Sequence, residues 1–232
     1  MDSLLARNVS CSRTIDSETE RLADVTLGFE PATLHLLFGG PGSGRNLLLR
    51  LLGLIERPDS GEILVTGEST RDWSDDQCNA LRSRHFGFVF EAPLLLPSFN
   101  VVENIAMPFF KLTEATPEHA REETRRVLEH VGMADYADSS IEALPIWAQQ
   151  RVALARALVT RPQALFVENI DSLARDGELI SLLELLAFTR RSLGCCIIAT
   201  AASRDLVHFA NRAVELAEGR VVRDWRPGGL LS

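Results

Sequence analysis

The stretch that most narrows the possible folds is "TLHLLFGGPGSGRNLLLRLLGLI", residues 33–55. An apolar run closes on a glycine-rich segment, and a leucine-rich run opens directly after it. That order predicts strand, tight turn and helix. Gly39 and Gly44 stand at the spacing of G-x-x-x-x-G-K-[ST], in which loop N–H groups and the following helix N-terminus hold anionic oxygens. Two positions depart from the motif: Arg45 replaces the lysine, and Asn46 replaces the hydroxyl residue. The glycines specify the turn, but the chemistry that usually goes with it is open.

Further strand-like runs follow: 62–67, 85–90, 164–169, 195–200 and 212–217. Helical patterns lie between several of them, at 46–55, 149–160 and 177–193. Strands alternating with helices predict an α/β domain with a largely parallel sheet. The segment 112–140 reads as purely helical. Thr116 is placed to N-cap, Pro117 suits the first helical position, and Gly132 suits a helix end. Ala120, Thr124, Val127, Leu128 and Val131 would form its inner stripe. The closing "DWRPGGLLS" reads as a loose tail.

The net charge of −8 is the wrong sign for a phosphate-backbone binder, so no nucleic-acid partner is expected. No apolar run reaches the roughly 18–20 residues needed to span a bilayer. The first residues lack a basic start and a sustained apolar run, so a signal peptide is not expected and the chain is placed in the cytosol. Cys11, Cys78, Cys195 and Cys196 include no C-x-x-C pair. They read as buried reduced thiols, with adjacent Cys195 and Cys196 on opposite faces of a strand.

The segments after the glycine loop carry a resemblance. "RPDSGEILVTGE" (57–68), "FGFVFEAPLLLPSFNVVENIAMP" (86–108), "LPIWAQQRVALARALVTRPQALFVENI" (144–170) and "NRAVELAEGRVV" (211–222) occur in order. Together they resemble the ATP-binding subunits of ABC transporters, most closely the branch serving lipoprotein release (LolD-like) and MacB-like exporters. The resemblance covers about residues 5 to 222. It implies a P-loop NTPase-like ABC nucleotide-binding domain over residues 1–222, with a mainly parallel sheet core and an N-terminal antiparallel β part. A helical subdomain over about 92–160 is inserted in the α/β core, and 223–232 is the tail. Two such subunits sandwich two ATP molecules, each between one subunit's glycine loop and the other's signature motif. Closure drives a membrane partner through the Q-loop region.

The resemblance also assigns roles, and several positions depart from them. The nucleotide-binding loop would be Gly39, Gly40, Gly42, Ser43, Gly44, Arg45, Asn46 and Leu47. Arg45 keeps the charge as a planar fork in place of a point charge. Asn46 replaces a Mg²⁺-binding hydroxyl; it and Glu168 are candidate metal ligands. Glu91 replaces the Q-loop glutamine and adds like charge beside a γ-phosphate. The signature "LSGGQ" becomes Leu144, Pro145, Ile146, Trp147 and Ala148, which removes a hydroxyl and an N–H donor and adds bulk. Trp147 is read either as a partner contact or as a buried core residue. Glu168 replaces the aspartate of the Walker B strand, and Asn169 replaces the catalytic glutamate. An amide cannot accept a proton at neutral pH. Asp171 is a candidate displaced base. The D-loop "SLARD" is shifted, with Arg175 in the aspartate position and Asp176 after it. Ala201 stands in the switch-histidine region, and His208 lies too far along. Residues 1–28 contain no aromatic to stack on adenine, and Arg13 reads as a flexible surface side chain.

These departures predict a catalytically degenerate ATP-binding-type subunit, with ATP and Mg²⁺ binding weak or absent. No residue at Glu91, Glu168, Asn169 or Ala201 is expected to be catalytically competent. The expected partners are an integral membrane permease and a second ATP-binding subunit, as homodimer or heterodimer. The expected location is the inner face of the cytoplasmic membrane, with 91–108 as the permease contact. The alternatives are an active ATPase using Arg45, Glu168 and Asp171 in altered roles, and a soluble interaction module.

Overall fold

A computed structural model describes residues 3–15, 18–112, 116–173 and 178–228. Strands β1 (Leu4–Ile15) and β2 (Glu18–Phe29) pair antiparallel. Their buried residues alternate: Leu4, Ala6, Val9 and Cys11 on one strand, Val25, Leu27 and Phe29 on the other. One face of a pleated strand is thereby committed to the core. The chain leaves this hairpin as β3 (Leu34–Phe38), turns through the glycine loop and enters α1 (Arg45–Leu52). It returns as β4 (Ser60–Val65), antiparallel to β1, and the short β5 (Glu68–Ser69).

The sequence reading passed over α2 (Asp75–His85), although its signal is present. Ser74 and Gln77 form a reciprocal capping box. After it come β6 (Phe86–Val89), α3 (Val101–Leu112), α4 (Pro117–His130), α5 (Ile146–Leu158), β7 (Ala164–Val167) and α6 (Glu178–Leu193). The last strands are β8 (Cys196–Ala201), β9 (Arg212–Ala217) and β10 (Arg220–Trp225). The second sheet has the order β10-β9-β3-β8-β7-β6, parallel except for β10.

The parallel sheet is buried on both faces, which is why its strands read as continuous apolar runs. Leu36, Leu165, Val167, Ile197 and Ala199 face one core, which they share with α3, α4, α5 and α6. Leu37, Phe166, Ile198 and Val214 face another, with α1 and the antiparallel sheet. Cys195 belongs to the first core and Cys196 to the second, as alternation requires. Burial pushes both thiols up to about 12, so they stay protonated.

Segment 112–140 is not one continuous helix. Thr116 Oγ1 accepts from His119 N at 3.3 Å, Pro117 opens α4, and α4 stops at His130 just before left-handed Gly132. Short 3-10 turns at Ala134–Tyr136 and Ile141–Ala143 follow, because Gly132 reverses the chain. Ala120, Thr124, Leu128 and Val131 are buried as the stripe requires, and Val127 is half-buried. The tail begins later than its composition indicates. β10 runs to Trp225, whose ring meets Phe38 edge-on at 5.7 Å, so residues 223–225 belong to the sheet.

Candidate functional site

The glycine loop joins the buried end of β3 to the N-terminus of α1. Gly39 N donates to Ala201 O at 3.3 Å, Ser43 N to Gly40 O at 3.1 Å, and Gly219 N to Ser43 O at 3.2 Å. Gly44 takes φ of 86°, and a Cβ there would stand 2.4 Å from Arg21 O. Only glycine meets both conditions. Gly44 is the N-cap of α1; no side chain caps that end, and its first turn carries no acidic residue. Its leading N–H groups face the loop, with the Glu20 carboxylate near only the Leu47 N–H, which suits an anion.

The side chains around the loop hydrogen-bond to one another. Arg45 is buried, and its Nη1 donates to Gly39 O at 2.7 Å and Gly40 O at 2.9 Å. Its Nη2 donates to Asn169 Oδ1 at 3.2 Å. Asn46 Nδ2 donates to the same oxygen at 3.3 Å. Thr200 Oγ1 donates to Asn46 Oδ1 at 2.7 Å and accepts from Asn169 N at 2.8 Å. Asn169 Nδ2 donates to Glu91 Oε2 at 2.7 Å. Arg50 Nη2 holds Glu168 Oε1 at 3.0 Å. Asn169 follows β7 with φ of 46°, a left-handed conformation that asparagine tolerates.

Comparison with known proteins identifies this arrangement. The sequence pattern of the family described as ABC transporter matches residues 22–169. A lipoprotein-releasing system ATP-binding protein, LolD, of Bordetella pertussis is 34% identical over 205 residues, covering 88% of each chain.

The chain belongs to the ABC transporter family.

A macrolide export ATP-binding/permease protein, MacB, of Syntrophobacter fumaroxidans is 32% identical over 203 residues. That match covers 85% of this chain and 28% of the longer relative. A dimeric ATP-binding cassette in a post-hydrolysis state bound to ADP and Pi has the same fold, with a TM-score of 0.87 and 24% identity. It covers 98% of this chain and all of the other.

Set against this ABC transporter family, the loop glycines, Arg45, Asn46, Glu91, Glu168 and Asn169 all converge on one site. The donor set does not fit Mg²⁺. Asn46 Oδ1 is engaged by Thr200, Asn169 presents amide hydrogens, and the Glu168 carboxylate is paired with Arg50. Mg²⁺ demands a near-octahedral set of oxygens, and this one is neither free nor all-oxygen. The phosphate cradle does fit: the α1 N-terminus is uncapped, and Ser43 Oγ is buried without a partner.

The signature segment is placed elsewhere. Pro145 is the N-cap of α5 and gives no side-chain cap. Leu144 and Ala148 are buried, Ile146 is exposed, and Trp147 is half-buried. The Trp147 ring meets Tyr136 edge-on, with Arg151 over it at 5.7 Å. It packs against the helical core while remaining half-buried. Buried Gln150 reaches back from α5 to Glu91 O at 2.8 Å, joining this helix to the loop after β6.

The structure gives Asp171 a different job from a displaced base. Its Oδ2 accepts from Ala202 N at 2.7 Å and Ser203 N at 3.3 Å, closing the turn after β8. Ala201 is buried, and His208 is exposed on a 3-10 turn. Arg13 is not flexible as the sequence reading expected: Asp59 holds it at 2.7 Å and Glu56 at 3.0 Å. Arg175 and Asp176 lie outside the described residues.

Three residues of the site escaped sequence reasoning. Arg50 stands one turn after Asn46, so i,i+4 spacing was a usable signal. Thr200 hid inside an apolar strand. Glu20, on β2, is half-buried. Burial pushes its carboxyl above the ordinary range, against the opposing pull of Arg50, Arg45 and the Leu47 N–H.

Proposed function

We propose that this chain is an ATP-binding-type subunit of a lipoprotein-release or MacB-like transporter that has lost hydrolysis. It supports or regulates an integral membrane permease from the cytoplasmic face of the membrane. The observation that carries this reading is Asn169. At the end of β7, beside the glycine loop, its amide binds Arg45, Asn46 and Glu91. An amide there supplies no general base for water. Loss of one transition-state contact costs on the order of 10²- to 10³-fold in rate. Here the base, the metal set and the signature donors depart together.

Assembly follows the same logic. In a homodimer both composite sites would pair an altered loop with "LPIWA". In a heterodimer with an intact partner, each site would still contain one altered half. Residues 91–108 offer the permease contact. Leu94, Leu96, Phe99 and Met107 are exposed there, beside a groove of about 490 Å³ lined by Phe88, Phe90, Met107 and Pro108. Exposed apolar groups in one region mark a binding surface.

The test is phosphate release from Mg²⁺-ATP by the purified chain, alone and reconstituted with its membrane partner. Negligible turnover by the isolated chain is expected. Turnover at transport-ATPase rates that disappears in Arg45→Ala would overturn the reading. Met107→Glu should abolish co-purification with the permease from detergent extracts while leaving the fold intact.

A further inference from the structure

We infer that the glycine loop takes a diphosphate-type anion without Mg²⁺, an inference that rests on the loss of hydrolysis proposed above. Anion binding and metal binding are normally one event at such a loop. Here the structure separates them.

The anion half is built and unsatisfied. Ser43 is 3% exposed, and its Oγ has no hydrogen-bond partner. It lies inside the turn, 2.8 Å from where a Cβ on Gly39 would stand. Arg45 is 8% exposed, and its Nε also has no partner. A buried donor left unpaired carries a desolvation cost, and natural structures rarely leave two in one loop without a use for them. The two sit beside the uncapped N-terminus of α1, and added Cβ atoms at Gly40 and Gly42 would meet nothing within 4 Å. The cradle is open and rich in donors, with the Arg45 charge on one side and the half-buried Glu20 carboxylate opposing it. No aromatic platform for a base precedes it in residues 1–28, so recognition rests on the phosphates.

The metal half is closed. Asn46 uses its oxygen for Thr200 and its nitrogen for Asn169. Glu168 is committed to Arg50 at 3.0 Å. Among the described residues, no group of three or more His, Cys, Asp or Glu comes together to hold a metal ion. A metal would have to break the Thr200–Asn46 bond and turn away the Asn46 amide hydrogens.

The same residues disfavour a third phosphate. Glu91 is linked to Arg45 through Asn169. Without a divalent cation beside it, a terminal phosphate would meet the like charge of the Glu91 carboxylate, which is exposed. A diphosphate stops short of it. ADP and pyrophosphate should therefore bind at least as well as ATP.

The experiment is calorimetric titration of the full chain with pyrophosphate, ADP and ATP, each in excess EDTA and in Mg²⁺. Pyrophosphate and ADP should bind in EDTA, with affinities changed less than about threefold by Mg²⁺, and ATP should bind no more tightly than ADP. Ser43→Ala and Arg45→Met should each weaken binding about tenfold or more. Thermal melts of the unliganded variants identify any that have lost the fold. Asn46→Thr gives an independent arm: by restoring a hydroxyl, it should make ATP binding respond to Mg²⁺. Binding seen only with Mg²⁺, with ATP tenfold tighter than ADP, would overturn the inference, as would no binding of any of the three. Absent binding with absent turnover refutes this inference alone; ATP turnover refutes the reading beneath it.

Discussion

The amide oxygen of Asn169 accepts a hydrogen bond from Arg45 at 3.2 Å, which ties the end of β7 to the glycine loop. Asn46, Thr200 and Glu91 complete the network. Each altered residue satisfies another. Arginine offers several donors in a planar fork, and asparagine offers both acceptor and donor, so the pair bonds directly and leaves Arg45 Nε unpaired.

Thr200 tests that closure. It is fully buried, and its hydroxyl donates to Asn46 and accepts from the Asn169 N–H. Thr200→Val keeps the shape and leaves a half-buried N–H and a half-buried amide oxygen each short of a partner. A loss of about 1–3 kcal/mol is expected in urea unfolding. Thr200→Ser should recover most of it.

Gly44 is a sharper structural test. Gly44→Ala must adopt φ of 86° and place its Cβ 2.4 Å from Arg21 O. Left-handed strain alone is about 1–2 kcal/mol, and the contact with backbone cannot be relieved by a side-chain rotation. A fall in melting temperature is expected, larger than for Gly40→Ala, whose added Cβ meets nothing within 4 Å.

How much of this was legible from sequence divides by the range of the interaction. The strand–turn–helix around Gly44, the Thr116 cap and the opposite facing of Cys195 and Cys196 depend on neighbours in the chain, and periodicity reports them. The network at Asn169 joins positions 45, 46, 91, 169 and 200, and no local pattern connects those. The family resemblance brought most of them together but not Thr200, which reads only as a strand residue. Arg13 was misread because its partners, Glu56 and Asp59, lie more than 40 residues away. The extent of β10 was missed because Trp225 is anchored by Phe38, across the sheet.

Glu20 bears on the anion site from the opposite direction. Its carboxyl shares surroundings with Arg45, Arg50 and the Leu47 N–H, the groups an incoming phosphate would use. Glu20→Gln removes a competing negative charge while keeping the side-chain shape. Pyrophosphate affinity in EDTA should rise roughly fivefold, about 1 kcal/mol, as for one charge acting over a few ångströms in well-solvated surroundings. Weakened binding in calorimetry would show that Glu20 helps to build the site instead.

Acid stability should hinge on His35. It is fully buried on β3, its Nε2 lies 3.2 Å from Glu30 O, and its Nδ1 has no partner. Burial pulls it from an ordinary value near 6.5 down to about 4, a larger effect than the nearby Glu30 charge can offset. The folded chain therefore keeps His35 neutral over a range in which the unfolded chain binds a proton. Above about pH 6.5 neither state is protonated and the full stability is present. As pH falls from 6.5 to about 4, the unfolded state gains the proton first and stability drops, by about 3 kcal/mol at the acid end. Asp224, held below the ordinary carboxylate range by Arg212, adds a loss in the same direction at lower pH. The diagnostic is therefore a difference: in urea titrations across this window, His35→Leu should lose less stability than the parent chain. Parallel curves for the two proteins would mean that His35 takes up its proton without unfolding.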